Sequence, residues 1–275
     1  MVQITPEQKA AFDREGFLVL PPISKTVSQN IENWANQVKN LPNRPDAWMH
    51  YEEVIKGSKP EERVLCRTEN FADYHEGFND LFRGQEMTSI LEQLTGESMV
   101  LFKEKINYKL PWAGGYQAHL DSLGYKHIGN VNYLSVLIAA EPATLRNGCL
   151  EVVSGSHKMI IPIGEDKCIQ HEWCKKQKWI PVPLESGHFL IFGGYLAHRS
   201  APNKSDKGRA AIYATYNALS DGGDRRDAYY SDRRKIWPPT ADRLPGERYE
   251  AGARIYGFSS PMLSVIEDGY KGIGL

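Results

Sequence analysis

Apolar positions along the first hundred residues recur at helical spacing, and after Val100 the pattern shortens to strands. Thr5-Pro6-Glu7 opens the first predicted helix, with Thr5 as N-cap and proline at the first helical position, where its missing N–H costs nothing. Gly16 to Leu20, GFLVL, reads as a short strand stopped by Pro21-Pro22. Val27, Ile31, Trp34, Ala35 and Val38 share one face of a helix from Ser24 to about Lys39. Met87, Ile90, Leu91 and Leu94 mark another over residues 86–95, while residues 40–65 carry no clear period.

From Val100 to about residue 217 come VLFKEKINYKL, NVNYLSVLIAA, CLEVVSGS, KWIPVPL, HFLIFGG and AAIYATY, most bounded by Gly, Pro, Asn or Ser. Strands following strands without helices between them predict an antiparallel sandwich or barrel rather than βαβ units. Beyond residue 220 the chain turns polar, with one short helix expected near Asp227 to Lys235. One domain is expected over 1–275: N-terminal helices over 1–99, a β core over 100–217 and an extension over 218–275.

Composition narrows the function classes. A net charge of −1 and a pI near 6.7 provide no global field for nucleic acid or an anionic membrane, so neither is an expected partner, although local patches could exist. Oligomeric state is not legible. Cys66, Cys149, Cys168 and Cys174 form no C-x-x-C pair and read as reduced thiols. The polar start MVQITPEQKAAFDREG is unlike a signal peptide, no apolar run is long enough for a membrane span, and the closing KGIGL matches no address, so cytoplasm is the expected location.

The chemistry concentrates in GGYQAHLDSLGY. His119 and Asp121 are two apart, so on a strand they would point to one face, shared by Gln117. His198 ends HFLIFGGYLAH, a buried-strand pattern broken by Gly193-Gly194, and offers a third ligand. Two imidazoles and one carboxylate leave coordination positions open, the ligand set of Fe(II) oxygenases rather than closed structural zinc. Arg209, eleven residues beyond His198, could fork onto a buried carboxylate, with Ser200 adding a hydroxyl. H-x-D also arises by chance, and Arg209 read alone would be an ion pair at a strand edge.

The opening TPEQKAAFDREGFLVLPP, the HLD triplet, NGCLEVVSGSHK and HRSAPNKSDKGRAAIYATY together resemble the phytanoyl-CoA dioxygenase family of Fe(II)/2-oxoglutarate oxygenases. The resemblance covers most of the chain and implies a double-stranded β-helix core (jelly-roll, cupin-like) with flanking helices. It implies His119, Asp121 and His198 as iron ligands, Arg209 and Ser200 as the anchor for 2-oxoglutarate, and Gln117 as a side chain aimed at that co-substrate. His157 belongs to the loop signature and reads as structural. Leu120, where many members carry Gln or Arg, departs from the pattern but should face away from the metal. The implied reaction consumes O₂ and 2-oxoglutarate and hydroxylates an unactivated C–H bond.

For the substrate, the sequence offers Lys105, Asn107, Tyr108, Tyr125, His127, Asn130, Tyr133 and Tyr213 as lining residues. Lys105, Asn107 and Lys109 alternate and share a face, from which Tyr108 points away; a solvated strand edge would look the same. KEKINYKLP and DAYYSDRRKIWPPTADR resemble members that hydroxylate small aminophosphonates, with Lys105, Lys109 and Arg233 as cationic donors. Tyr229, Tyr230 and Trp237 would equally suit an oxygenase tailoring a secondary metabolite. From another class, a cupin-like metal protein without 2-oxoglutarate chemistry stays open, as does a non-catalytic binding module.

Overall fold

The computed structural model describes residues 2–54, 63–124, 127–128 and 133–257. Helix α1 (Pro6–Glu15) opens on a reciprocal capping box. Thr5 Oγ1 accepts from the Gln8 N–H at 3.2 Å, and the Gln8 side chain accepts from the Thr5 N–H at 2.9 Å. The helix ends at Gly16, whose φ of 85° suits glycine, and a Cβ there would lie 2.4 Å from the His157 ring. β1 (Phe17–Leu20) and α2 (Lys25–Lys39) follow the predicted pattern, with Val27, Ile31, Ala35 and Val38 buried.

The aperiodic stretch conceals a hairpin, β2 (Met49–Val54) and β3 (Arg63–Glu69), and is followed by helices α3 (Glu76–Arg83) and α4 (Gln85–Thr95). The long β4 (Met99–Lys109) begins the core. Then come β5 (Tyr116–His119), β6 (Tyr133–Ala139), β7 (Leu150–Val152), the five-residue α5 (His171–Lys175), β8 (Ile180–Val182), β9 (Phe189–Gly193), β10 (His198–Ser200) and β11 (Arg209–Ala218). Among the described residues, the expectation of strands without intervening helices fails at the short α5 and at the 3₁₀ turns Asp121–Gly124 and Ser156–Lys158. α6 (Arg226–Ile236) and α7 (Glu250–Tyr256) close the described chain.

All strand pairs are antiparallel, in a seven-stranded sheet ordered β1-β9-β6-β11-β4-β3-β2 and a four-stranded sheet ordered β5-β10-β7-β8. One face of the large sheet packs Ile106, Val136, Ile138 and Ile212 against α2, α3 and α4 through Ile31, Phe78, Phe82 and Ile90. Burying each such side chain contributes about 1.5–3 kcal/mol. The other face meets the small sheet through Leu137, Leu190, Phe192 and Ala211 against Leu150, Val152 and Leu184. This two-sheet core with helices on its outer face is a jelly-roll sandwich.

β4 has a different character on each face. Ile106 and Tyr108 join the helix-side core. Lys103, Asn107 and Lys109 line the inner side and are only 4–5% exposed, so they are not a solvated edge. Tyr108, expected as a pocket residue, is on the helix side, as strand alternation requires. Its hydroxyl is 3.2 Å from Thr68 Oγ1.

α6 fastens the open end of the sandwich. Arg226 grips both carboxylate oxygens of Glu104, a two-pronged charge-assisted contact. The Arg233 Nη2 donates to Glu69 Oε1 at 2.8 Å. Tyr51, Phe102, Tyr229, Trp237 and Tyr256 form an aromatic cluster around this closure. No helix among the described residues is long and apolar enough to cross a membrane.

Candidate metal centre and co-substrate pocket

β5 and β10 are neighbours in the small sheet, and their register sets His198 directly opposite His119. The two imidazole centroids are 4.2 Å apart. The strand ends at His119, so Asp121 does not share a strand face with it as the spacing suggested. Leu120 turns into the core and Asp121 opens a 3₁₀ turn, Asp121–Gly124, tied down by the Ser122 N–H donating to the Gly194 carbonyl at 3.0 Å. That turn swings the carboxylate back, and Asp121 Oδ1 is 3.6 Å from both His119 Nε2 and His198 Nε2. One ligand atom from each of the three residues lies within 4.8 Å of the other two.

Local hydrogen bonds aim these donors. His119 Nδ1 donates to the Gln117 carbonyl at 2.7 Å and His198 Nδ1 to the Leu196 carbonyl at 2.9 Å. A carbonyl can only accept, so each Nδ1 carries a proton, which in the neutral ring leaves the Nε2 lone pair for a metal. The Ser135 hydroxyl donates to Asp121 Oδ2 at 2.8 Å, which turns Oδ1 toward the imidazoles. Burial, followed by the neighbouring His198, lowers the His119 pKa and favours the neutral imidazole. Burial would raise the Asp121 carboxyl, but His198, His119 and Lys105 outweigh it and hold it well below the usual carboxylate range. Two imidazoles and a carboxylate converging from one side suit a divalent metal with open positions.

Two residues along β10, Ser200 lines an adjoining narrow cavity with Arg209, Lys109, Asn107, Tyr116 and Tyr213. Arg209 starts β11 opposite Lys109 on β4. Its guanidinium donates from Nε to the Asn147 carbonyl at 3.1 Å and from Nη2 to the Gly148 carbonyl. The rest of the fork is left for a ligand. Among the described residues Arg209 makes no ion pair, which removes the strand-edge alternative. Lys109 Nζ donates to Ser200 Oγ at 3.0 Å. With no carboxylate in contact among the described residues, half-buried Arg209 has donors left for an anion, and buried Lys109, whose ammonium also donates to the Gly148 and Ala201 carbonyls, stands beside it. Lys109 thus stands beside Arg209 and Ser200, a placement hidden from the sequence because one strand's alternation cannot reveal which strand lies opposite.

Gln117 departs from expectation. Its side chain is exposed and it serves the site through its backbone carbonyl instead. Lys105 and Tyr213 face each other on the inner wall, with Lys105 Nζ 5.0 Å from the Tyr213 ring centre. Asn107 accepts from Arg67 Nε at 2.9 Å on the same wall. Tyr133 packs on Phe102, centroids 4.9 Å apart, within the aromatic cluster. Tyr125 and Asn130 lie outside the described residues. His127 contacts Tyr256 Oη at 2.8 Å and Asp232 at 3.3 Å, linking its loop to α6 and α7. Arg233 is bound to Glu69, Tyr51 and Tyr229 rather than offered to a ligand. His157 donates from Nε2 to the Asp13 carbonyl at 3.3 Å, the structural part expected of it.

Comparison with known proteins agrees with this geometry. The 2-aminoethylphosphonate dioxygenase of an uncultured bacterium, HF130_AEPn_1, is 33% identical over 95% of this chain and all of its own. The methylphosphonate hydroxylase of Gimesia maris is 34% identical over 89% of this chain and 92% of its own. The dioxygenase lolE1 of Epichloe uncinata is 33% identical over 86% and 91%. Among solved structures, EctD from S. alaskensis with 2-oxoglutarate and 5-hydroxyectoine shares the fold, with a TM-score of 0.67 at 21% identity over 79% of this chain and 77% of that one. Residues 12–211 match the family model for phytanoyl-CoA dioxygenase. With its paired histidines, its turn-borne aspartate and this match across most of its length, the chain belongs to the phytanoyl-CoA dioxygenase family.

Proposed function

We propose that this protein is an Fe(II)- and 2-oxoglutarate-dependent dioxygenase that hydroxylates a C–H bond of a small aminophosphonate. The observation that carries the reading is the join at β10: His198 faces the metal-ligand cluster, and Ser200, two residues on, faces the Arg209–Lys109 receptor. A dicarboxylic acid anchored at one end by Arg209, Lys109 and Ser200 would present its other end to a metal held by His119, Asp121 and His198. When bound, iron with 2-oxoglutarate and O₂ supplies the oxidising chemistry, consuming the co-substrate to succinate and CO₂ as oxygen enters the substrate.

The chain's own contribution is binding, aim and dryness. Backbone carbonyls fix the tautomers of both imidazoles, and Ser135 fixes the rotation of Asp121. Phe192 packs edge-on against His198 with centroids 5.0 Å apart. Two phosphonate-acting relatives and an inner wall carrying Lys105 beside Arg67 support an anionic substrate. The tailoring-oxygenase alternative would draw on the aromatic cluster that holds Tyr229, Tyr230 and Trp237. Its aromatic cluster, however, is already filled by the protein's own cation, since the Arg233 guanidinium sits 4.5 Å from the Tyr256 ring centre and 4.9 Å from that of Tyr51. The four cysteines form no disulfide among the described residues, which suits a reducing compartment such as the cytoplasm.

The test is to add Fe(II) and 2-oxoglutarate under anaerobic conditions, look for a weak visible charge-transfer band, and then admit O₂ with 2-aminoethylphosphonate. A band lost in His119→Ala and succinate formed with hydroxylated phosphonate are the expected results. No band in the wild type, or the same band in the variant, would overturn the reading.

A further inference from the structure

We infer that Lys105 is the residue that receives the substrate's phosphonate group, an assignment that rests on the functional reading above. The inner wall around the metal cluster carries several buried cations, and most have protein partners. Arg233 is paired with Glu69 at 2.8 Å, Arg67 reaches Asn107 and Glu69, and Lys109 is held by Ser200 beside Arg209. Lys103 is set deeper, over the Tyr229 ring.

Lys105 differs. Among the described residues its ammonium has no hydrogen-bond acceptor and no carboxylate within ion-pair distance, and its contact is the face of Tyr213 at 5.0 Å. It is half-buried rather than sealed, so a ligand can reach it. A cation in that setting is costly unless something anionic arrives.

Position separates this anion from 2-oxoglutarate. Lys105 and Lys109 are four residues apart on one extended strand. At the rise of a β-strand that separation is about 13 Å. Lys109 neighbours Arg209, whereas the charged groups around Lys105 are Arg67, Asp121, Glu69 and Arg233. Lys105 therefore belongs to the metal end and Lys109 to the anchor end. Around Lys105 its own ammonium, Arg67 and Arg233, with Lys103 two residues away driven toward its neutral form, outnumber the carboxylates of Asp121 and Glu69. The charges of a divalent metal and of 2-oxoglutarate cancel, so a net positive charge is left for the substrate to answer. Phosphonate oxygens meet that demand with charge-assisted hydrogen bonds, and Tyr213 keeps the lysine stem from folding away.

The test uses the anaerobic complex with Fe(II) and 2-oxoglutarate, titrated with methylphosphonate and with 2-aminoethylphosphonate, binding being read as perturbation of the visible band. Lys105→Met should raise Kd for both ligands by about a hundredfold, the loss typical of truncating one side of a desolvated charge pair. Lys105→Arg should recover part of it, and the 2-oxoglutarate concentration needed to form the band should stay at the wild-type value. A Met variant that binds both phosphonates within about threefold of wild type would overturn the assignment while leaving the oxygenase reading intact. A wild-type band indifferent to both ligands would sink the two together. As a check independent of substitution, methylphosphonate should shield Lys105 from acylation in the wild-type complex, read by peptide mass spectrometry. Unchanged labelling of Lys105 at saturating ligand contradicts the assignment.

Discussion

The Ser135 hydroxyl donates to Oδ2 of Asp121 at 2.8 Å, across from β6 to the turn that follows β5, and so leaves Oδ1 as the oxygen that would meet a metal. Ser135 is fully buried, so no water can take over that bond.

Ser135→Ala should therefore weaken metal binding by about 10–100-fold, the usual cost of losing an outer partner of a ligand, with little effect on folding. Fe(II) titration under anaerobic conditions, followed through the 2-oxoglutarate band, measures it. Unchanged affinity would mean that Asp121 is oriented by its turn alone.

At the other end of the pocket, Arg209→Met should raise the 2-oxoglutarate Kd by on the order of a hundredfold or more, because the partner carboxylate would enter a buried site without its fork. Arg209→Lys should recover only part of this, since an ammonium cannot donate two parallel bonds. Equilibrium titration of 2-oxoglutarate against each variant separates the two outcomes.

Lys109 makes co-substrate binding dependent on pH. Burial, then the neighbouring Arg209, push its ammonium from 10.5 down to about 7. An incoming carboxylate needs that ammonium charged, so 2-oxoglutarate affinity should fall as pH rises from about 7 to 9, with proton uptake on binding. In Lys109→Met the slope should vanish along with much of the affinity. The same depressed pKa opposes folding in the free protein. Between about 7 and 10.5 the unfolded chain binds more protons, so this contribution to stability improves as pH rises through that window. Isothermal titration in buffers of different ionisation enthalpy would reveal the proton uptake.

The Arg226–Glu104 pair is almost wholly buried, at 6% and 0% side-chain exposure. Removing one partner strands the other charge, so Arg226→Met should cost about 3–5 kcal/mol of stability. Urea denaturation would show the midpoint shift. The double variant Arg226→Met with Glu104→Gln should regain part of the loss.

Much of the site was legible because its chemistry rides on regular elements. His198 and His119 sit at strand positions whose flanking patterns are readable, and Arg209 opens a strand whose apolar run, AAIYATY, is plain. The spacing points to Asp121 for a reason that the geometry replaces. The i, i+2 relation holds across a strand end and a 3₁₀ turn, where alternation no longer applies and a bond to Gly194 does the positioning. The hairpin of β2 and β3 escapes periodicity because its inner face carries Tyr51, Glu53, Arg67 and Glu69, a largely polar set buried in part by partners 160 or more positions away, such as Arg233 and the Trp237 carbonyl. Pairings of that range leave no trace in a local window. Gln117 points outward, and its usable group, a carbonyl, is one that every residue type possesses.

The two imidazoles belong to the small sheet, whereas the wall bearing Lys105, Asn107 and Tyr213 belongs to the large one. The paired imidazoles and the wall carrying Lys105 thus rest on separate slabs of the sandwich, while Arg209 and Lys109 reach the same cavity from the large sheet. Substitutions at Lys105, Asn107 or Tyr213 can therefore remodel what is admitted while the two imidazoles keep their places, and so a lineage built on this scaffold can diversify its diet without rebuilding its furnace.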